Sequence, residues 1–172
     1  PRIFPVVADL AREYGIPAVR LAREDWRTTL ALAPDGPLPK IAQGLIFALL
    51  SRRAERIARA AGLVFNDHLF GLTNDGRMTE AYLTGLMDQL QPGVTEIYCH
   101  PGIAPDPELT RWPPHYRRRE ELAALLSPRL KGALAAAGVR RMDFRELVGE
   151  VRGSRFKVQS CADKQSNDFL SF

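Results

Sequence analysis

The chain has 172 residues, 45% of them hydrophobic, 26% charged and 8% aromatic, with 24 Lys and Arg against 20 Asp and Glu and a net charge of +4. This is the size of one ordinary domain with enough apolar material for a core, and it excludes a disordered or fibrous chain. The longest nearly apolar stretch, Ile41 to Leu50, is about half the roughly 20 residues that a bilayer-spanning helix needs, and two cysteines, Cys99 and Cys161, are too few for a disulfide framework, which points to a reducing compartment.

Ile3 to Tyr14 carries apolar residues at helical spacing and ends at Gly15, so a helix is predicted there. Ile16 to Leu21 is a β-branched run and a candidate buried strand. A loop follows, marked by Pro34-Asp35-Gly36-Pro37. Leu38 to Ala61 reads as a long helix closed by Gly62, extending about 36 Å at 1.5 Å per residue. Leu63 to Phe65 is a second short strand, Thr73 to Gly76 a turn, and Met78 to Leu90 a helix stopped by Pro92-Gly93. Val94 to Cys99 is the clearest strand and runs into His100-Pro101-Gly102. After a Pro-rich loop over Asp106 to Pro114, helices are predicted at Glu120 to Leu126 and Pro128 to Ala137, a strand at Val139 to Met142, and a last helical turn or two at Phe144 to Val151.

Strands separated by helices imply βαβ units and a parallel sheet. The fold class is therefore α/β, and four such units make a partial (β/α) barrel, half of an eight-unit one, with an open doubly wound sheet as the alternative. No Gly-rich phosphate loop follows any strand, so a nucleotide-binding reading has no support. Residues 1–152 form one unit, and residues 153–172, without periodicity and rich in Ser, Lys, Gln, Asn and Asp, read as an irregular tail.

In parallel α/β folds functional groups gather where strands end. His100 stands directly after the best strand, and the Pro-Gly that follows fixes a turn and lets a ligand approach the backbone. Histidine there can act as a general acid or base, or simply hydrogen-bond at the rim. Asp67, in the Asn66-Asp67-His68 segment after the second strand, could bind a metal, orient a histidine, hold sugar hydroxyls or make an Asx turn. His68 with one nearby carboxylate is too little for a metal site, which needs at least three converging ligands. Arg20, a charge inside a buried strand pattern, needs a partner such as Glu24 or acts as a substrate anchor, and Glu96 in the third strand is similar or faces outward.

Arg52, Arg56 and Arg59 share a helix face behind the apolar Leu45 to Leu50. This pattern fits a helix packed on the sheet with solvated arginines, or an interfacial contact with a membrane surface. A nucleic-acid role is not expected, because Glu55 interrupts the run and no binding motif accompanies it. Arg117-Arg118-Arg119-Glu120-Glu121 reads as a solvated helix start, and Cys99 as a core residue pointing away from His100.

Four segments together carry a resemblance. Val19-Arg20-Leu21-Ala22-Arg23-Glu24, Asp67-His68-Leu69-Phe70-Gly71-Leu72, Gly76-Arg77-Met78-Thr79-Glu80 and Gly93-Val94-Thr95-Glu96-Ile97-Tyr98-Cys99-His100-Pro101-Gly102 resemble the YdjC-like carbohydrate deacetylases, nearest to the hopanoid-biosynthesis branch called HpnK, from about Pro1 to Val148. The strand ending in His-Pro-Gly is the most specific part.

The resemblance implies an irregular α/β barrel that removes acetyl groups from N-acetylated amino sugars by metal-assisted hydrolysis, with a divalent ion, Mg²⁺, polarising the acetamide and activating water. In that family the metal is held by an aspartate near the N-terminus and two histidines, and an acidic pair supplies the base. These lie upstream of the segment matching Pro1 to Pro5. Pro1 in place of Met and the absence of a signal-peptide pattern fit the same reading, a C-terminal portion of a longer enzyme that is inactive alone. No metal ligand is transferred onto Asp67, His68 or His115.

By the same resemblance His100 is the general acid to the leaving amine or a hydrogen bond to the oxyanion. Arg20 orients the acidic pair or the substrate, and Asp67 lies at the sugar-binding edge. The implied substrate is a hopanoid bearing N-acetylglucosamine. The implied location is cytoplasmic or peripheral at the inner membrane face through the 38–61 helix, with a homo-oligomer as a further expectation. The competing reading is a non-catalytic carbohydrate- or lipid-binding or assembly module on the same fold.

Overall fold

The computed structural model describes residues 3–103, 111, 115–157 and 169–171. Seven helices are seen among them: α1 (Ile3–Glu13), α2 (Trp26–Leu32), α3 (Pro37–Ala60), α4 (Glu80–Met87), α5 (Arg118–Leu125), α6 (Pro128–Ala136) and α7 (Phe144–Lys157). Four strands, β1 (His68–Phe70), β2 (Val94–Ile97), β3 (Arg140–Arg141) and β4 (Phe169–Ser171), form one sheet in the order β1-β2-β4-β3. All three pairings are parallel, with His68 opposite Thr95, Val94 opposite Phe169 and Arg140 opposite Phe169. The α/β class and the parallel sheet are as the alternation of elements implies.

The strand predicted at Ile16 to Leu21 is reduced to isolated parallel bridges, Ala18 with Val64 and Glu24 with Leu69, which lay residues 18–24 along the 64–69 stretch that leads into β1. A side chain takes the place of the missing ladder. Buried Asn66 accepts from the Leu21 N–H at 2.8 Å and donates to the Leu21 carbonyl at 2.9 Å, satisfying both backbone groups of that residue. The second strand is displaced in the same way, from Leu63–Phe65 to His68–Phe70. Asn66 and Asp67 therefore precede a strand rather than follow one.

Helix α2 falls in a stretch that reads as loop. Asp25 starts it, accepting from the N–H groups of Arg27 at 3.1 Å and Thr28 at 3.5 Å and from the Thr28 hydroxyl at 2.7 Å. Helix α4 begins later than its apolar spacing suggests, because Thr79 caps it through the Tyr82 N–H at 3.3 Å while Met78 is buried ahead of it. The segment expected to be an irregular tail contains regular pieces: α7 runs to Lys157, and 169–171 supplies β4 between β2 and β3. A strand there gives both neighbours the backbone partners their facing edges require.

The larger core lies between the sheet and helices α4, α5 and α6, with Phe70, Leu83, Leu86, Ile97, Ala124 and Leu130 at its centre. Cys99 packs against it, as its place in the strand predicts. The smaller core joins α1 to the end of α3 through Ala8, Ala11, Ala58 and Leu63. Period-two alternation then decides the other face of β2. With Ile97 and Cys99 turned to the helices, Glu96, Tyr98 and His100 point the opposite way.

Candidate functional site

The C-terminal end of β2 carries a line of polar side chains on the face turned away from the larger core. Glu96 is only 4% exposed, and Arg20 reaches it with two donors, Nε at 2.8 Å and Nη2. The partner of Arg20 is thus Glu96 and not Glu24. Glu24 is buried elsewhere, accepting from the Thr73 N–H at 2.7 Å and the Thr29 hydroxyl at 3.0 Å. Burial raises its carboxyl above the usual range, opposed by these hydrogen bonds. The Arg20 guanidinium also lies over the Tyr98 ring, 5.2 Å from its centre, and half of its side chain remains exposed. Burial drives the Tyr98 hydroxyl upward from its ordinary value.

Next along the strand is His100. Its Nδ1 lies 3.2 Å from Asp75 Oδ1, and its ring stands against Tyr98 and Tyr116 at centroid distances of 5.5 and 4.6 Å. Tyr116 donates its hydroxyl to the other oxygen of Asp75. Two loops are brought together here, 71–79 after β1 and the residues flanking α5. Gly76 makes that approach: its φ is +69°, and a Cβ there would overlap the Tyr116 ring.

Glu121 ties the loops from beneath. It has no exposed surface and accepts from the N–H groups of Met78, at 3.0 Å, and His100. Arg117, Arg119 and Glu120 are exposed, as a solvated helix start implies, whereas Glu121 is a buried clamp. Arg118, from the same run, packs on Tyr116 at 5.1 Å and donates to the His100 carbonyl at 3.4 Å.

Arg20 and His100 are thus on one face of the sheet, linked through Glu96 and Tyr98. Asp67 is not with them. It stands at the N-terminal end of β1, where its Oδ2 accepts from the Val94 N–H at 2.9 Å and its own N–H donates to the Val94 carbonyl at 2.8 Å. Its carboxylate joins two strands at the end of the sheet opposite to His100. His68 lies within β1, and His115 is exposed beside Tyr116, 5.0 Å between ring centres. Among the described residues no three His, Cys, Asp or Glu side chains converge as a metal site.

Asp75, Tyr98, Tyr116 and Glu121 are members that sequence reasoning did not single out. Alternation from His100 would have found Tyr98. Asp75 has a weaker signal, its place in the loop that follows a strand adjacent to β2.

Beside this face α1 and α3 enclose an apolar cleft of about 490 Å³. Phe4, Val7, Phe47 and Leu50 line it, with Arg20 and Arg53 as its charged members.

Residues 1–136 match the family model described as YdjC-like protein. No curated protein and no solved structure matches the chain. The family match spans both loops of the His100 site and the whole strand that ends in His-Pro-Gly, and on that ground the chain belongs to the YdjC-like family, whose members are of carbohydrate deacetylase type.

Proposed function

We propose that the chain forms part of a hydrolase that removes the acetyl group from an N-acetylated amino sugar, with His100 as its acid. The observation that carries this reading is the placement of His100 at the C-terminal end of β2, with Nδ1 turned to Asp75 and its ring framed by two tyrosines. Hydrolysis adds water across the acetamide C–N bond, releasing acetate and a free amine. The nitrogen cannot leave without a proton, and an imidazole Nε2 at the strand end is suited to supply it. Arg20, half exposed above Tyr98 and fixed by Glu96, is suited to orient the sugar, since its planar donors reach hydroxyl and carbonyl oxygens alike.

The divalent ion implied by the resemblance, Mg²⁺, is proposed with ligands outside the described residues; it would polarise the acetamide and activate water. The described side chains do not fit such a site, and the steps above belong to this chain's own residues. The HpnK likeness extends the proposal to a hopanoid bearing N-acetylglucosamine, on a barrel of which this chain forms a part. It also favours a cytoplasmic protein that touches the inner membrane face through α3, and the open sheet edges of a part barrel favour self-association. The apolar cleft beside Arg20 supports a substrate with an apolar portion.

The test is acetate release from N-acetylglucosamine conjugates by the protein encoded by the complete reading frame that contains this chain. His100→Ala should lower kcat by roughly 10²-fold or more. Full activity in that variant would overturn the role of His100. Retention of the sugar without any acetate release would make the protein a binding module instead.

A further inference from the structure

The contacts of His100 extend beyond the two residues that the hydrolysis needs. Asp75 Oδ1 is buried and makes no geometrically satisfied hydrogen bond among the described residues; the nearest donor recorded for it is His100 Nδ1 at 3.2 Å. Its Oδ2 is already occupied by the Tyr116 hydroxyl. Burial and that same bond to Asp75 push Tyr116 up to about 12, so Tyr116 keeps its proton and remains a donor at neutral pH. A buried carboxylate oxygen facing a ring nitrogen is satisfied only when that nitrogen carries a proton. The backbone of His100 is held at the same time, its N–H by Glu121 and its carbonyl by Arg118.

We propose that Asp75 and Tyr116 are positioning residues for His100: Tyr116 fixes the Asp75 carboxylate, and Asp75 keeps a proton on Nδ1, so that Nε2 is the ring nitrogen that exchanges a proton with the leaving amine. The inference rests on the reading of His100 as the acid of the hydrolysis. In the step, one proton leaves Nε2 and the same proton arrives on the nitrogen as the C–N bond breaks. Nδ1 and Tyr116 keep theirs, Asp75 stays ionised, and Nε2 regains a proton from solvent before the next turnover. The hydrogen bond on one ring nitrogen sets which proton the other can give.

The test uses the protein encoded by the complete reading frame that contains this chain, with ¹⁵N-labelled histidine. The His100 signals are identified by their loss in His100→Gln. Two-bond ¹⁵N–¹H spectra above the imidazole titration should show His100 protonated on Nδ1. Asp75→Ala should move that proton to Nε2, and Asp75→Glu, which keeps a carboxylate in reach, should restore part of the Nδ1–H form. A wild-type His100 protonated on Nε2 overturns the proposal, as does an unchanged tautomer in a folded Asp75→Ala chain. If Asp75→Ala does not fold, the wild-type spectrum still decides. In the acetate-release assay Asp75→Ala should lower kcat at least about tenfold with KM within about threefold. A protein without deacetylase activity removes the reading of the reaction, while the spectra still report on Asp75.

Discussion

Glu121 has no exposed surface, and its two oxygens serve two backbone donors, Met78 and His100. Removing the side chain leaves both N–H groups without their acceptor. Glu121→Ala should therefore cost about 2–6 kcal/mol in denaturant unfolding, at 1–3 for each unmet group. A loss below about 1 kcal/mol would show that water replaces the carboxylate freely. Asp35 gives a smaller effect with a defined pH dependence. The Lys40 ammonium at 3.0 Å holds its carboxyl below the usual range, and Arg77 pairs with it from the other side at 2.6 Å. A carboxylate lowered in this way stabilises the fold above its unfolded value of 3.8, and that contribution is lost as pH falls through the lower folded value. Asp35 is half exposed, so solvent screening limits the difference between wild type and Asp35→Asn to roughly 0.5 kcal/mol at neutral pH, vanishing in strong acid. Melting curves at several pH values check it; a difference that grows on acidification would contradict the pairing.

At the scale of elements, α2 packs across α3 where Gly44 faces Trp26. A Cβ on Gly44 would overlap the indole, so this glycine serves close approach within a helix. Gly44→Val should destabilise the fold by about 1–3 kcal/mol through overpacking, although valine is the better helix former. An unfolding midpoint equal to wild type would mean that α2 moves aside without cost. How far these elements could be read in the sequence differs for a physical reason. Helices α1, α3 and α6 are long enough for apolar spacing and a terminal glycine to mark them. β2 lies in a β-branched and aromatic run that leads into His-Pro-Gly. The short helix α2 depends on one capping aspartate, and the stretch beside β1 depends on Asn66 standing in for a ladder, which no local pattern encodes. His100 was legible because it follows the best strand. Asp75, Tyr116 and Glu121 were not, because each acts across 20 or more residues of sequence.

For the whole molecule, two separate cores leave a sizeable apolar surface outside. No helix among the described residues is long and apolar enough to cross a membrane. Yet Leu38, Leu45, Ile46 and Leu49 of α3 stay exposed beside a basic stretch in which Arg59 pairs with Glu55 at 2.8 Å. If α3 makes the proposed membrane contact, Leu45→Ser with Leu49→Ser should weaken co-sedimentation with anionic vesicles several-fold. Unchanged co-sedimentation would remove that contact. By itself the sequence determined the α/β class, the long amphipathic helices, the strand leading to His100 and the family, because each is written in neighbouring residues through periodicity, caps and a contiguous motif. Only the tertiary structure decided that Arg20 pairs with Glu96, that Asp67 joins strands at the far end of the sheet, and that Asp75, Tyr116 and Glu121 converge on His100. Such contacts are fixed by which loops a parallel sheet brings to the same edge, and that placement depends on packing between segments distant in the chain.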